Sequence, residues 1–161
     1  MSAEGYSIRW AGGPADISGA QALRFEVFCR EQGVSSEEEL DGRDDQALHV
    51  VVLESLQGGV EGPVIATLRL LVCGEQAKVG RVAVHRSWRR RGIASRMLAL
   101  ALDRAQGLGC TRARLAAQLE AAALYEQAGF SAESEIFEEA GMPHVWMGRH
   151  LAPAGAGGAV V

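Results

Sequence analysis

Hydrophobic positions along this chain switch repeatedly between a period near two and a period near 3.6, the marks of strand and amphipathic helix. "YSIRWA" (6–11) is a short strand, broken by Gly12-Gly13-Pro14. From Asp16 onward Ala20, Leu23, Val27 and Phe28 recur at helical spacing, which predicts a helix ending near Gly33. The acidic stretch after it reads as a loop with one helical turn, Ser36 capping Glu37–Glu39. "ALHVVVLES" (47–55), "VIATLRLLVC" (64–73) and "AKVGRVAV" (77–84) are strands joined by short connections, the pattern of antiparallel hairpins. Ile93, Met97, Leu100, Ala101 and Leu108 then keep helical spacing up to Gly107 and Gly109. "TRARLAA" (111–117) is the next strand, and a helical crossover from 77–84 makes the two parallel. A second helix over about 119–128 stops at Gly129, and residues 130–151 give two more strands around a turn at Gly141. The fold class is α/β with a mixed sheet. With no repeat and no linker, residues 1–151 read as one domain, and the tail 152–161 has too little to bury and is predicted disordered.

Charge changes this picture more than composition does. The chain has 161 residues and a net charge of −4, enough length to bury a core without disulfides or metals. Residues 31–45 hold seven acidic side chains and one arginine, whereas residues 76–102 hold seven basic ones and none acidic. Such runs are ordinarily solvated faces; the sharper reading is an anion site and a cation site. Cys29, Cys73 and Cys110 are isolated, which argues for a reducing compartment and against structural zinc. Of these Cys29, at a helix end, is the one to watch as a pocket residue. The N-terminal stretch lacks a basic region followed by an apolar one, and uncharged runs fall short of a membrane span, so a soluble cytoplasmic protein with no membrane partner is expected.

The densest chemistry lies in "VGRVAVHRSWRRRGIAS" (79–95), where a valine strand runs into an arginine knot and then a helix. A helix N-terminus carries unpaired N–H groups and partial positive charge, so it suits an anion. Gly92 lets the backbone approach a ligand, Ala94 keeps the first turn slim, and Arg89, Arg90 and Arg91 add charge. This is a phosphate or pyrophosphate cradle. It is neither a Walker loop nor GxGxxG, which removes support for nucleotide hydrolysis and dinucleotide binding.

Arg89-x-x-Gly92-x-Ala94 after an apolar strand resembles the [RQ]-x-x-G-x-[GA] signature of the GNAT superfamily of N-acetyltransferases. "AAQLEAAALYEQAGF" (116–130) resembles that superfamily's later helix, with the expected strand between the two motifs. "LRFEVFCREQGV" (23–34), "ALHVVV" (47–52) and "MPHVWM" (142–147) resemble its small bacterial ElaA-like branch, so the likeness spans roughly residues 7–151. "HRSWR" (85–89) departs from it, since relatives commonly carry an apolar residue and Pro there; the path of that loop is left open.

The resemblance implies a mostly antiparallel central sheet with two splayed parallel strands and helices on both faces. It implies acetyl-CoA as cosubstrate, no metal, and a small-molecule or peptide-borne amine as acceptor. Val82, Ala83 and Val84 would pair with the pantetheine amides as a sheet edge does with a peptide. Backbone N–H groups of Arg90, Arg91, Gly92, Ile93, Ala94 and Ser95 would cradle the pyrophosphate. Gln118 stands where many relatives have Asn, near the pantetheine arm, and Tyr125 matches the phenol that protonates the leaving CoA thiolate. A homodimer is a common form among such proteins.

The base is left open. His49, His85 and His144 each read equally as packed residues or as bases, and His150 is superficial. Glu31 and Glu37–Glu39 are rivals for that role or for holding a cationic acceptor. Trp88 is expected to pack over the loop, with Trp10 and Trp146 structural, and Arg86 and Arg96 are the less specific arginines. Two other function classes compete: a non-catalytic acyl-CoA sensor, which would share the cradle, and a nucleic-acid patch. The latter is disfavoured by the acidic pI near 5.6 and by the lack of interleaved aromatics beyond Trp88, so no nucleic acid is expected.

Overall fold

The computed structural model describes residues 4–153; most of the predicted tail, from 154 on, lies outside the described residues. Strands β1 (Tyr6–Trp10), β2 (Leu48–Ser55), β3 (Glu61–Cys73), β4 (Gln76–Val84), β5 (Arg112–Gln118), β6 (Ser131–Ala132), β7 (Phe137–Glu139) and β8 (Met142–His150) alternate with helices. The helices are α1 (Pro14–Arg24), α2 (Ser36–Glu39), α3 (Ile93–Gly107) and α4 (Ala122–Gln127). Among the described residues the strands are ordered β1-β2-β3-β4-β5-β8-β6, with β7 also on β8. Two compact units share this chain: Met1–Arg69 with Arg81–Met97, and Leu70–Gly80 with Leu98–Val161.

In the first unit β1 pairs antiparallel with β2, from Tyr6 opposite Glu54 to Trp10 opposite Val50. β2 has a strand on each side, and Val50, Val51 and Val52 are all buried, as a continuous apolar run in a central strand requires. α1 opens with Pro14 in its first turn, where the missing N–H costs nothing, and so begins before the predicted Asp16. Its buried stripe includes Ala20 and Leu23; Ala20 packs on Val51 and Leu53. Beyond Arg24 the helix widens into a π-helical stretch, Phe25–Glu31, before Gly33. The acidic loop does hold one helical turn, but Ser35, not Ser36, is its cap, accepting the Glu38 N–H at 3.2 Å.

The second unit holds the parallel pairing expected from the helical crossover. β4 runs alongside β5 over Gln76–Lys78 and Arg112–Arg114, while β4 itself continues to Val84 and β5 to Gln118. β5 and β8 pair antiparallel over their length, Arg112 with His150 through Gln118 with His144. Strictly alternating burial puts Ala113, Leu115 and Ala117 in the core with Val145 and Met147. The region expected to give two strands gives three, because β6 and β7 are separate short partners of β8. Helix α4 is likewise shorter than predicted, preceded by a 3₁₀ turn at Leu119–Ala121. No helix of the described residues is long and apolar enough to cross a membrane.

Candidate active site

The end of β4 is shaped by Arg81, which sits at φ 51° in mid-strand. That conformation is costly for an L-residue, and it breaks the regular pleat just before Val82. Its side chain is held in compensation: Nη2 donates to the carbonyls of Glu38 and Glu39 at 3.2 and 3.1 Å. Ala83 is buried on Leu23 and Val27, whereas Val82 and Val84 on the alternate positions are half-buried. The strand therefore ends with one side chain anchored in the core.

The loop that departs from the family pattern has its own capping device. His85 Nδ1 accepts the Ser87 N–H at 3.1 Å, and the Trp88 N–H donates to the His85 carbonyl at 2.8 Å. A 3₁₀ turn at Arg86–Trp88 results, so the His85 side chain takes part in setting the turn. Trp88 meets Tyr6 edge-on at 6.1 Å and carries the Arg91 guanidinium over its ring at 4.6 Å. Arg96 completes this layer by donating to the Tyr6 hydroxyl at 3.0 Å.

Arg89 is committed to structure: Nε donates to the Val84 carbonyl at 2.9 Å and Nη2 to Glu31 at 2.9 and 3.1 Å. It ties the end of the π-helical stretch to the end of β4. Arg90 follows at φ 63° and Gly92 at φ 76°. The first α3 donor with an intrahelical partner is Arg96, whose N–H reaches the Gly92 carbonyl at 3.2 Å. The N–H groups of Ile93, Ala94 and Ser95 precede it and point out of the helix end, as any first turn does. Ile93 is buried and fixes that turn, while Arg90, Arg91, Gly92 and Ser95 are exposed. The arrangement is an exposed helix start flanked by Arg90 and Arg91, chemistry that suits a phosphate.

Part of the acidic run is the partner of buried arginines, while Glu37, Glu38 and Asp45 stay exposed. Arg24, fully buried, binds Glu39 at 2.5 Å and Asp44 at 2.9 Å. Arg69 grips both Asp41 oxygens at 2.8 Å and reaches Asp44 at 3.2 Å. Arg81 adds Glu39 at 3.3 Å and Asp41 at 3.4 Å. With Glu31 on Arg89, four of the seven carboxylates of 31–45 have an arginine partner. Burial raises the Asp44 carboxyl, but hydrogen bonds from Arg24 and Gln21 and the Arg24 charge outweigh it and bring it to about 2. The Arg69 hydrogen bond holds Asp41 lower still. Nothing in the charge run predicted these partners; Arg24 and Arg69, charged residues at apolar-periodic positions, were the available signal.

His49 belongs to the same unit and is buried, its ring N–H donating to the Asp44 carbonyl at 3.0 Å through Nε2. Its Nδ1 is sealed in the interior. Cys29 is half-buried; burial, then Glu39 and Glu37, push its thiol up, so it makes a poor nucleophile.

Gln118 and Tyr125 lie in the second unit. Gln118 ends β5, directly opposite His144. Tyr125 is buried on α4, edge-on to Phe130 at 6.2 Å, and desolvation pushes its hydroxyl up to about 12. It therefore stays protonated across the neutral range. On β8, Trp146 is stacked on Phe137 and flanked by Lys78 at 5.4 Å and Arg114 at 4.7 Å, so its role is packing. Arg112 and Arg114 both pair with Glu133, which holds the short β6 segment to the sheet.

Among the described residues the mixed sheet carries a parallel strand pair, β4 and β5, bridged by helix α3, the α/β architecture of an acyl-transferring class of protein. The chain belongs to the acetyltransferase (GNAT) family, whose model matches residues 20–130. YjcF of Bacillus subtilis, described as an uncharacterized N-acetyltransferase, is 32% identical over 126 residues, 78% of this chain and 86% of its own. An acyl-CoA N-acyltransferase structure from Pseudomonas aeruginosa superposes with a TM-score of 0.74 at 29% identity, covering 89% of this chain and 99% of that one. Escherichia coli ElaA, at 23% identity, shares the fold with a TM-score of 0.75 over 89% of this chain and 99% of its own.

Proposed function

We propose that residues 1–151 form one acetyl-CoA-dependent N-acetyltransferase domain acting on a primary amine, small or peptide-borne. The observation that carries this reading is the start of α3, where the first-turn N–H groups of Ile93–Ser95 precede the Arg96 donor and follow the left-handed Arg90 and Gly92. Family membership supports the same reading. The pyrophosphate lies on that turn, with Arg90 and Arg91 beside it. Arg89 acts one step back, holding the Val84 carbonyl and Glu31. Val82–Val84 offer backbone edge to the pantetheine amides, Val84 through its N–H, since its carbonyl already accepts from Arg89. Gln118 sits by the pantetheine arm.

The neutral amine attacks the thioester carbon, the C–S bond breaks, and the electron pair leaves on sulfur. Tyr125 gives that thiolate its hydroxyl proton and is reprotonated from solvent by the proton the nitrogen sheds. No covalent enzyme intermediate is needed, and no metal enters the reaction.

The test is release of CoA thiol from acetyl-CoA across an amine panel of spermidine, lysine methyl ester, phenethylamine and glucosamine. Wild-type protein turns over at least one, and Tyr125→Phe lowers kcat by about 10²-fold while CoA affinity changes less than about twofold. A CoA-induced rise in melting temperature without thiol release would make the protein a binding module instead. Equal losses of kcat and CoA affinity would remove Tyr125 from the acid role.

A further inference from the structure

We propose that His144 is the base that takes the acceptor amine's proton, an inference that rests on the acetyl-transfer reading above. The two other candidate histidines are already engaged. His49 has its one unbonded nitrogen sealed in the interior, and His85 Nδ1 caps the loop turn. His144 is different in tautomer and in place. Its Nδ1–H donates to the Met142 carbonyl at 2.8 Å, which leaves the lone pair on Nε2. The ring is buried and stacked on Phe137 at 5.9 Å, so its orientation is fixed.

Register then places it. Gln118 and His144 are direct partners across β5 and β8, and paired residues project to the same face. That face is opposite to the one where Leu115, Ala117, Val145 and Met147 are buried. His144 thus shares a face and a strand end with the residue assigned to the pantetheine arm. Nε2 looks toward Glu139 Oε2 at 4.0 Å, an exposed carboxylate suited to stabilise the imidazolium once a proton arrives. The charged groups next along this face are Lys78 and Arg114, both engaged on the Trp146 ring.

The proton balance is simple. An acceptor ammonium carries three protons: one passes to His144 Nε2 and on to solvent, and one remains on the product amide. The third leaves nitrogen as the C–S bond breaks and makes good the proton that Tyr125 gives to sulfur.

His144→Asn keeps a donor for the Met142 carbonyl and removes the base. With acetyl-CoA and the amine panel, it lowers kcat/KM by at least about a hundredfold at pH 7. The deficit shrinks more than tenfold by pH 10, where a growing share of amine is already neutral in solution. The CoA-induced melting shift is unchanged. A deficit that is absent, or constant with pH, overturns the proposal while leaving acetyl transfer intact. No turnover by the wild type with any amine brings down both. Should the Asn variant fail to fold, the exposed Glu139→Gln serves: loss of the carboxylate 4.0 Å from Nε2 lowers kcat/KM several-fold at pH 7 with the CoA-induced melting shift unchanged, and an unchanged kcat/KM counts against His144.

Discussion

At the scale of single residues, the molecule keeps charge inside itself. Arg24 has no exposed surface and is tolerable only because Glu39 and Asp44 meet it; leaving such a charge unpaired costs roughly 3–5 kcal/mol. Asp44 joins Arg24 and Arg69, and its folded value near 2 lies below the ordinary 3.8. The unfolded chain therefore binds its proton more readily. The stability from this group is present above about pH 4 and is lost as pH falls toward 2, on the order of 1–2 kcal/mol after solvent screening. The expected outcome is a melting temperature that drops between pH 4 and 2. Asp44→Asn starts lower at pH 7 and shows a shallower drop across that window. An identical slope in the variant would assign the acid sensitivity elsewhere.

At the scale of elements, α1 rests on β3 through a missing side chain. A Cβ on Gly19 would come within 2.7 Å of Val64 Cγ2, closer than real contacts allow. Alanine at a helix interior gains about 1 kcal/mol in propensity, but overpacking against a β-branched strand residue costs about 1–3 kcal/mol. Gly19→Ala is therefore expected to lower the denaturant midpoint, and adding Val64→Ala to restore much of it. A stabilised single variant would mean that the helix shifts without penalty.

These elements also mark what was legible before the structure. Strand and helix order up to α4, the parallel relation of β4 and β5, and the turn into α3 follow from local periodicity and from Gly92, whereas the short β6 and β7 are too brief to leave a period. The partners of the acidic run did not follow. Arg24 meets Glu39 fifteen positions away and Arg69 meets Asp41 twenty-eight away, and a charge pattern names no partner across such distances. The left-handed Arg81 was hidden for the same reason, since what compensates it is the main chain of Glu38 and Glu39. The engagement of the His85 ring in its own turn depends on loop geometry that a lone histidine in the sequence does not signal.

At the scale of the whole molecule, a net charge of −4 coexists with a cationic segment, so the proposed CoA binding would rest on local charge rather than on the overall field. Binding a ligand to the folded state alone stabilises it by mass action, about 2.7 kcal/mol at a hundred times Kd. For a chain of this size each kcal/mol is worth roughly 2–4 °C, so CoA at that excess raises the melting temperature by about 5–11 °C. Gly92 separates this from nonspecific charge effects. It lies at φ 76°, and a Cβ added there would meet no atom within 4 Å, so the cost of Gly92→Ala is conformational, about 1 kcal/mol. That cost appears as a small drop in the ligand-free melting temperature. With the pyrophosphate on the α3 turn, as proposed, the added methyl would crowd it, so the CoA-dependent rise should largely disappear. A variant that melts lower yet keeps the full CoA shift would place the pyrophosphate away from the start of α3.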